Sequence, residues 1–304
     1  MSGARPPLRA ATRGSELALR QTALVGELLG REIEAVVVHT SGDRQGDMPI
    51  WEIGGQGVFV KEVQAAVLDG RADIAVHSAK DLPSAATPGL VLAAVPERDD
   101  ARDALVGSAI DDLPPGAVVA TGSVRRRAQL AWIRPDLTFA GLRGSIATRL
   151  AKAARYDAIV VALAALRRLG LTDRVAEVLD PSVMLPQVSQ GALAVECRPD
   201  DEATQRAVAA VDHAPSRQAV EAERAFLAEI GGSCDLPVDA YARHVRHGDL
   251  ELSGMLSSLD GRVVLRDVTA GADPGALGRD LARHLLDDCG GQAILDDLAG
   301  VGAL

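Results

Sequence analysis

Aromatic side chains are scarce in this chain of 304 residues: two Trp, two Tyr and three Phe, 2% in all. Its core therefore has to be filled by Ala, Val, Leu and Ile, the bulk of a 47% apolar fraction. Cysteine is just as sparse. Cys197, Cys234 and Cys289 form no Cys-x-x-Cys pair, which excludes a disulfide framework and the usual structural zinc patterns. His244 and His247 stand three apart, but nothing near them in sequence completes a metal site. Long apolar runs are missing too. The longest uncharged one, Ala158 to Leu166, falls far short of the ~18 residues of a membrane span. The segment Met1 to Pro7 has no apolar stretch of the secretory kind, so the expected compartment is the cytoplasm. A charged fraction of 24% beside that apolar content excludes a disordered or fibrous chain.

Positive charge is in deficit, with 32 basic against 42 acidic residues and a net charge of −10. Non-specific attraction to nucleic acid is not expected of such a chain. The distribution is uneven, however. Between Ala120 and Gly170 lie Arg125, Arg126, Arg127, Arg134, Arg143, Arg149, Lys152, Arg155, Arg167 and Arg168, opposed only by Asp136 and Asp157. An island of net +8 in a remainder of −18 suits a ligand with several carboxylates or phosphates, because guanidinium pairs with them bidentately. Taken singly, each of these arginines reads rather as part of a solvated face; the island as a whole reads as a site.

Strand-like and helix-like segments alternate along the first ~100 residues, the pattern of βαβ units with helices on both sheet faces. Leu8–Ala11 is read as a strand, Ser15 as the N-cap of the helix after it, and Ala35–Thr40 as a β-branched strand. Gly54 to Gly57 opens a helix with Phe59, Val63, Ala66 and Val67 on one face, and Ala72–Val76 is a buried strand. A second set follows Pro96–Asp100: strands at 117–121, 138–142 and 158–162, helices from 125 and 148. Ligands of such folds bind beyond the carboxyl ends of the strands. From about residue 213 the style changes, with a helix at 221–230, strands at 238–244, 250–256 and 263–268, a hairpin turn at Asp260-Gly261, and a closing helix at 277–288.

Three places carry candidate chemistry. His77-Ser78-Ala79-Lys80-Asp81 follows a buried strand, so Asp81 stands where the fold places ligands. Among cationic neighbours its carboxylate should be ionised, able to stabilise a developing positive charge or shuttle a proton. Capping of the next segment is the competing reading. Thr121-Gly122-Ser123-Val124-Arg125-Arg126 brings free N–H groups, hydroxyls and guanidiniums to one helix start, a natural anion site, and Gly141 to Arg149 repeats that logic. Cys234 lies in a Gly-Gly-Ser-Cys turn, exposed enough to act as a covalent attachment point. Cys197 and Cys289 read as small buried apolar residues.

These motifs resemble the porphobilinogen deaminase (hydroxymethylbilane synthase) family from Arg9 to the C-terminal helix. The residues carrying the likeness are Ala11-Thr12-Arg13-Gly14-Ser15-Glu16-Leu17-Ala18-Leu19, Asp73 to Asp81, Ser123-Val124-Arg125-Arg126, Leu142-Arg143-Gly144, Gln190-Gly191-Ala192 with Glu196-Cys197-Arg198, and the loop from Gly231 to Pro237. The resemblance implies a transferase of tetrapyrrole and heme biosynthesis. Four porphobilinogen molecules would lose ammonia and join head to tail on a dipyrromethane cofactor, held by a thioether that falls on Cys234. Each pyrrole carries an acetate and a propionate, so an arginine-rich site follows. Asp81 matches the catalytic carboxylate, which would assist departure of the amine and stabilise the azafulvene cation. Arg13, Ser15, Gln21, Ser78, Lys80, Thr121, Ser123, Arg125, Arg126, Arg143, Gly144, Arg149, Arg168, Gln190 and Gly191 match cofactor or substrate ligands.

The fold implied is α/β. Two lobes resembling periplasmic binding proteins have doubly wound sheets (1–97 with 192–212, and 98–191), and a small α+β domain (213–304) carries the cysteine. The partners implied are porphobilinogen and the growing oligopyrrole; the chain is expected to be a monomer without metal, nucleic acid or membrane. Three positions depart from the family's pattern. Gln56 stands where many relatives have lysine, Gly122 where serine is common, and Asp235 puts a negative charge beside the cofactor position. A non-catalytic two-lobed binding protein for a small polyanion is the rival reading; it explains the arginines but not the loop cysteine.

Overall fold

A computed structural model describes residues 7–40, 59–231, 236–245 and 248–301. Cys234, Gln56, Asp235 and His247 lie outside the described residues. The chain divides into two compact units, residues 1–99 with 191–217 and residues 100–190 with 218–304.

In the first unit, strands β1 (Leu8–Arg13), β2 (Ile33–Val38), β3 (Ile74–Ser78), β4 (Val91–Ala94) and β10 (Leu193–Cys197) form one sheet in the order β2-β1-β3-β10-β4. β1 runs parallel to β2 and β3, whereas β10 enters antiparallel between β3 and β4. The sheet is thus mixed, where alternation alone suggested parallel pairing throughout. Adjacent strand residues point to opposite faces, and each face has its own core. Ala10, Ile74, Val76, Val195 and Cys197 pack with Val25 of helix α1 (Glu16–Leu29) and Val208 of α6 (Glu202–Val208). Ala11 and Ala75 pack with Val63, Ala66 and Val67 of α2 (Lys61–Leu68) on the other face. Phe59, expected inside that helix, precedes it. Ser15 caps α1 as expected, its hydroxyl accepting from the Ala18 N–H at 3.3 Å.

The second unit holds two sheets. One has the order β7-β6-β8-β5-β9, built from β5 (Asp103–Gly107), β6 (Val118–Ala120), β7 (Thr138–Ala140), β8 (Ala158–Ala162) and β9 (Glu177–Val178). Helix α3 (Val124–Ile133) covers one face through Leu130, and α4 (Ile146–Lys152) and α5 (Leu163–Arg168) cover the other. The second sheet is the antiparallel meander β11 (Val238–His244), β12 (Leu250–Ser257) and β13 (Val264–Gly271). It packs against α7 (Ala214–Ile230) and α8 (Pro274–Arg283) around Phe226 and Leu281.

The Asp260-Gly261 hairpin turn forms. Gly261 takes φ +71 and lies so close to α3 that an added Cβ would sit 2.2 Å from the Ala128 carbonyl oxygen. The chain does not close with the helix expected at 277–288. After α8 comes a π-helical turn, His284–Asp288, and then α9 (Gly291–Val301).

Candidate active site

Strand β3 runs two residues further than its apolar pattern suggests, so His77 and Ser78 belong to it and a short 3-10 turn, Ala79–Asp81, follows. The Ala79 N–H donates to the Ala192 carbonyl at 3.0 Å, extending the β10 ladder to the start of the turn. Lys80 and Asp81 are half-buried at its end. Behind them Gln21, buried on α1, donates to the Ser78 hydroxyl at 2.9 Å. Arg13 ends β1 and lays its guanidinium over the Phe59 ring, 4.2 Å from the centroid, a cation–π contact. Gly191 takes φ +86, and its carbonyl accepts from the Asp99 N–H.

In the second unit, β6 ends at Ala120 and α3 starts after Ser123, whose hydroxyl caps it by accepting the Arg126 N–H at 3.4 Å. Buried Thr121 accepts the Ser123 N–H at 3.2 Å. Gly122, one of the departures from the family's pattern, lies against the neighbouring loop: an added Cβ would sit 2.6 Å from the Leu142 carbonyl oxygen. The loop ahead of α3 and the loop carrying Arg143 therefore meet backbone to backbone. Arg149 donates its Nε–H to the Gly144 carbonyl at 2.8 Å, and Arg168 is half-buried in the last turn of α5.

The paired arginines are not solvated cations. Arg126 is buried and grips Asp103 bidentately, at 3.0 and 2.7 Å. It also donates to the Val160 carbonyl and the Gln190 side chain. Gln190 is fully buried and donates in turn to Asp103 at 2.6 Å and the Ala101 carbonyl at 2.8 Å. Arg125 pairs with Asp239 of β11, which also accepts from Gln129 at 2.7 Å. Burial pushes the Asp239 carboxyl up to about 6 against the pull of Arg125. The sequence reading missed Asp103, Asp239 and Gln129. Their distance along the chain from the arginines leaves no local signal, apart from the one-turn spacing of Arg125 and Gln129.

Arg143 differs. Its Nη2 is shut off from solvent with no acceptor among the described residues, and burial lowers its pKa. Such a group suits an acceptor beyond the described residues, and a carboxylate would match it. Of the cysteines, Cys197 is buried in β10 and its thiol is pushed up to about 11, chiefly by burial. Cys289, expected to be buried, is exposed, 3.5 Å from His284 at the π-helical turn.

Two family models match the chain. "Porphobilinogen deaminase, dipyromethane cofactor binding domain" covers residues 8–206, and "Porphobilinogen deaminase, C-terminal domain" covers 217–287. The chain belongs to the porphobilinogen deaminase family. Relatives named porphobilinogen deaminase include that of Roseiflexus sp. (strain RS-1), 48% identical over 93% of this chain and 97% of its own. The Brevibacillus brevis relative is 41% identical over 94% and 96%. Among solved structures, the BvgS periplasmic VFT2 domain of Bordetella pertussis is remotely similar, with 16% identity and a TM-score of 0.38 over 68% of this chain and 86% of that one. The residues present fit the cofactor of the matched model. The dipyrromethane cofactor bears carboxylates, and Arg143 presents a buried donor without an acceptor among the described residues.

Proposed function

We propose that this chain condenses four porphobilinogen molecules head to tail, with loss of ammonia at each step, into the linear tetrapyrrole hydroxymethylbilane. What carries the reading is near end-to-end identity of 41–48% with porphobilinogen deaminases across both family domains. That identity favours the enzyme over a polyanion-binding protein.

The roles of the chain's own groups follow from chemistry. Asp81, at the end of the turn after β3, holds negative charge beside the pyrrole as its amine leaves and stabilises the cation that develops. Arg143 donates to an acetate or propionate. Arg125 and Arg126 are already neutralised by Asp239 and Asp103, so they offer directed hydrogen bonds with little net charge. Gln190 serves by holding Asp103 and Arg126 in place, since its amide is engaged within the unit. Arg13, Ser15, Gln21, Ser78, Lys80, Thr121, Ser123, Gly144, Arg149, Arg168 and Gly191 complete the assignment on resemblance. When bound, the dipyrromethane supplies the pyrrole carbon onto which new units are added. Cys234 is its thioether anchor in this reading; buried Cys197 is poorly disposed to become a thiolate.

The division into 1–97 with 192–212, 98–191 and 213–304 belongs to the same proposal, supported by one sheet for each part. So does a cytoplasmic monomer that binds neither nucleic acid nor membrane. No helix of the described residues is long and apolar enough to cross a membrane, and the net charge of −10 disfavours nucleic acid.

Intact-protein mass spectrometry tests the reading. The purified protein should exceed its sequence mass by one dipyrromethane, and Cys234→Ser should abolish the increment while Cys197→Ser and Cys289→Ser keep it. An active wild type at its bare sequence mass refutes the anchor.

A further inference from the structure

The turn that presents Asp81 follows a strand end whose sheet pairing among the described residues is on one side only. Among the described residues, β3 pairs with β1 only at Ile74 and Ala75, whereas Val76, His77 and Ser78 are registered against β10 alone. A strand end held along one edge needs other ties to stay in place, and side chains supply them on both faces of the sheet. On the α1 face, Ser78 is bonded to Gln21. On the α2 face, the His77 Nε2 lies 3.1 Å from the Glu196 Oε2, a close polar contact between two buried residues that lacks hydrogen-bond alignment.

Glu196 sits on β10, opposite Ala75 and diagonal to His77. The same Oε2 accepts from the Gln64 side chain of α2 at 2.8 Å, and the Gln64 Oε1 accepts from the Thr87 hydroxyl at 3.0 Å. The chain Thr87–Gln64–Glu196–His77 thus starts in the segment after Asp81 and ends in the strand before it. The reaction as read above uses none of these four residues.

We propose that Glu196 is a positioning residue for Asp81, fixing the catalytic turn from both sides through His77 and through Gln64 to Thr87. The proposal rests on Asp81 being the carboxylate that acts on the substrate. A buried acid has the strength for this work because, in a low-dielectric site, both its hydrogen bond from Gln64 and its polar contact with His77 are electrostatically strengthened. Small errors in the placement of a reacting group are felt mainly in turnover.

Glu196→Gln keeps the shape and loses the charge. The cofactor-loaded variant should retain its mass increment and a KM for porphobilinogen within about twofold of wild type, with kcat reduced about tenfold. Thr87→Val, which cuts the chain at its partly exposed end, should lower kcat about threefold with the same signature. Wild-type kcat in folded Glu196→Gln overturns the proposal, as does a kcat loss matched by lost cofactor or a raised KM. If Glu196→Gln does not fold, Thr87→Val decides on the same criteria. Asp81→Asn is assayed alongside. Wild-type turnover there removes Asp81 itself, whereas an impaired Asp81→Asn beside a normal Glu196→Gln removes only Glu196.

Discussion

Replacing Arg143 with methionine should make the cofactor-free protein more stable and the enzyme worse. The Arg143 guanidinium has one nitrogen closed off from solvent and no acceptor for it among the described residues. An unmet buried donor costs about 1–3 kcal/mol. Methionine keeps the aliphatic stem that packs in the loop and deletes the donor. After allowance for lost van der Waals contacts, a net gain of about 1 kcal/mol is expected, or about 2–4 °C in Tm for a unit of this size. The opposite sign holds once a polycarboxylate is present. A charge-assisted hydrogen bond contributes about 1.5–3 kcal/mol, so affinity for the pyrrole chain should fall roughly 10- to 150-fold. Calorimetry on cofactor-free wild type and variant reads the first effect. Mass spectra of loaded enzyme given limiting porphobilinogen read the second, as a ladder of bound rings that stops early. A variant that melts below wild type when cofactor-free and still elongates normally would make Arg143 an ordinary structural residue.

Other expectations concern charge. Asp81→Asn should keep the cofactor mass increment but lose roughly a hundredfold in turnover, about 3 kcal/mol of transition-state stabilisation; turnover within a few-fold of wild type removes it from the mechanism. Asp103→Asn strands the buried Arg126 cation and should cost about 3–5 kcal/mol in urea unfolding, whereas Asp103→Leu with Arg126→Met should cost less; equal losses would contradict the ion-pair account. His284 lies 2.9 Å from both Asp288 and Asp267, and hydrogen bonds to them raise its pKa. A raised folded-state pKa means this contribution is complete below the ordinary imidazole value and lost as pH rises through the folded value. The gap in thermal stability between wild type and His284→Gln should therefore narrow from acid to alkaline pH, and a gap that widens would reverse the assignment.

Local patterns made part of this fold legible. The β-branched run at 158–162 is β8 to the residue, 238–244 is β11, and Ser15 and Asp260-Gly261 act as read. Each owes its form to neighbours within a few positions. What escaped is what distance along the chain creates. β10 inserts between β3 and β4 with no cue of direction, since an apolar run looks alike in parallel and antiparallel sheets. The same holds for the site. Asp81 and the arginines were marked by motif, but the acids that neutralise Arg125 and Arg126 come from strands 114 and 23 residues away. Cys289 misled because helical periodicity carried past Arg283, where the backbone changes to a π turn and carries the thiol outward.

The placement of β10 also dictates an order of assembly. During synthesis β3 and β4 emerge early, yet the strand that joins them comes from the far side of β5 to β9. Until residue 193 has left the ribosome, one edge of β3, including the segment that presents Asp81, has no partner. An apolar edge left open for that long invites pairing with other chains, and non-local closure of this kind makes folding slow. Refolding from denaturant should then show the Asp81 end of the first sheet among the last amides to gain hydrogen-exchange protection, together with β10. A nascent chain truncated before residue 193 should depend on chaperones in a way the finished protein does not.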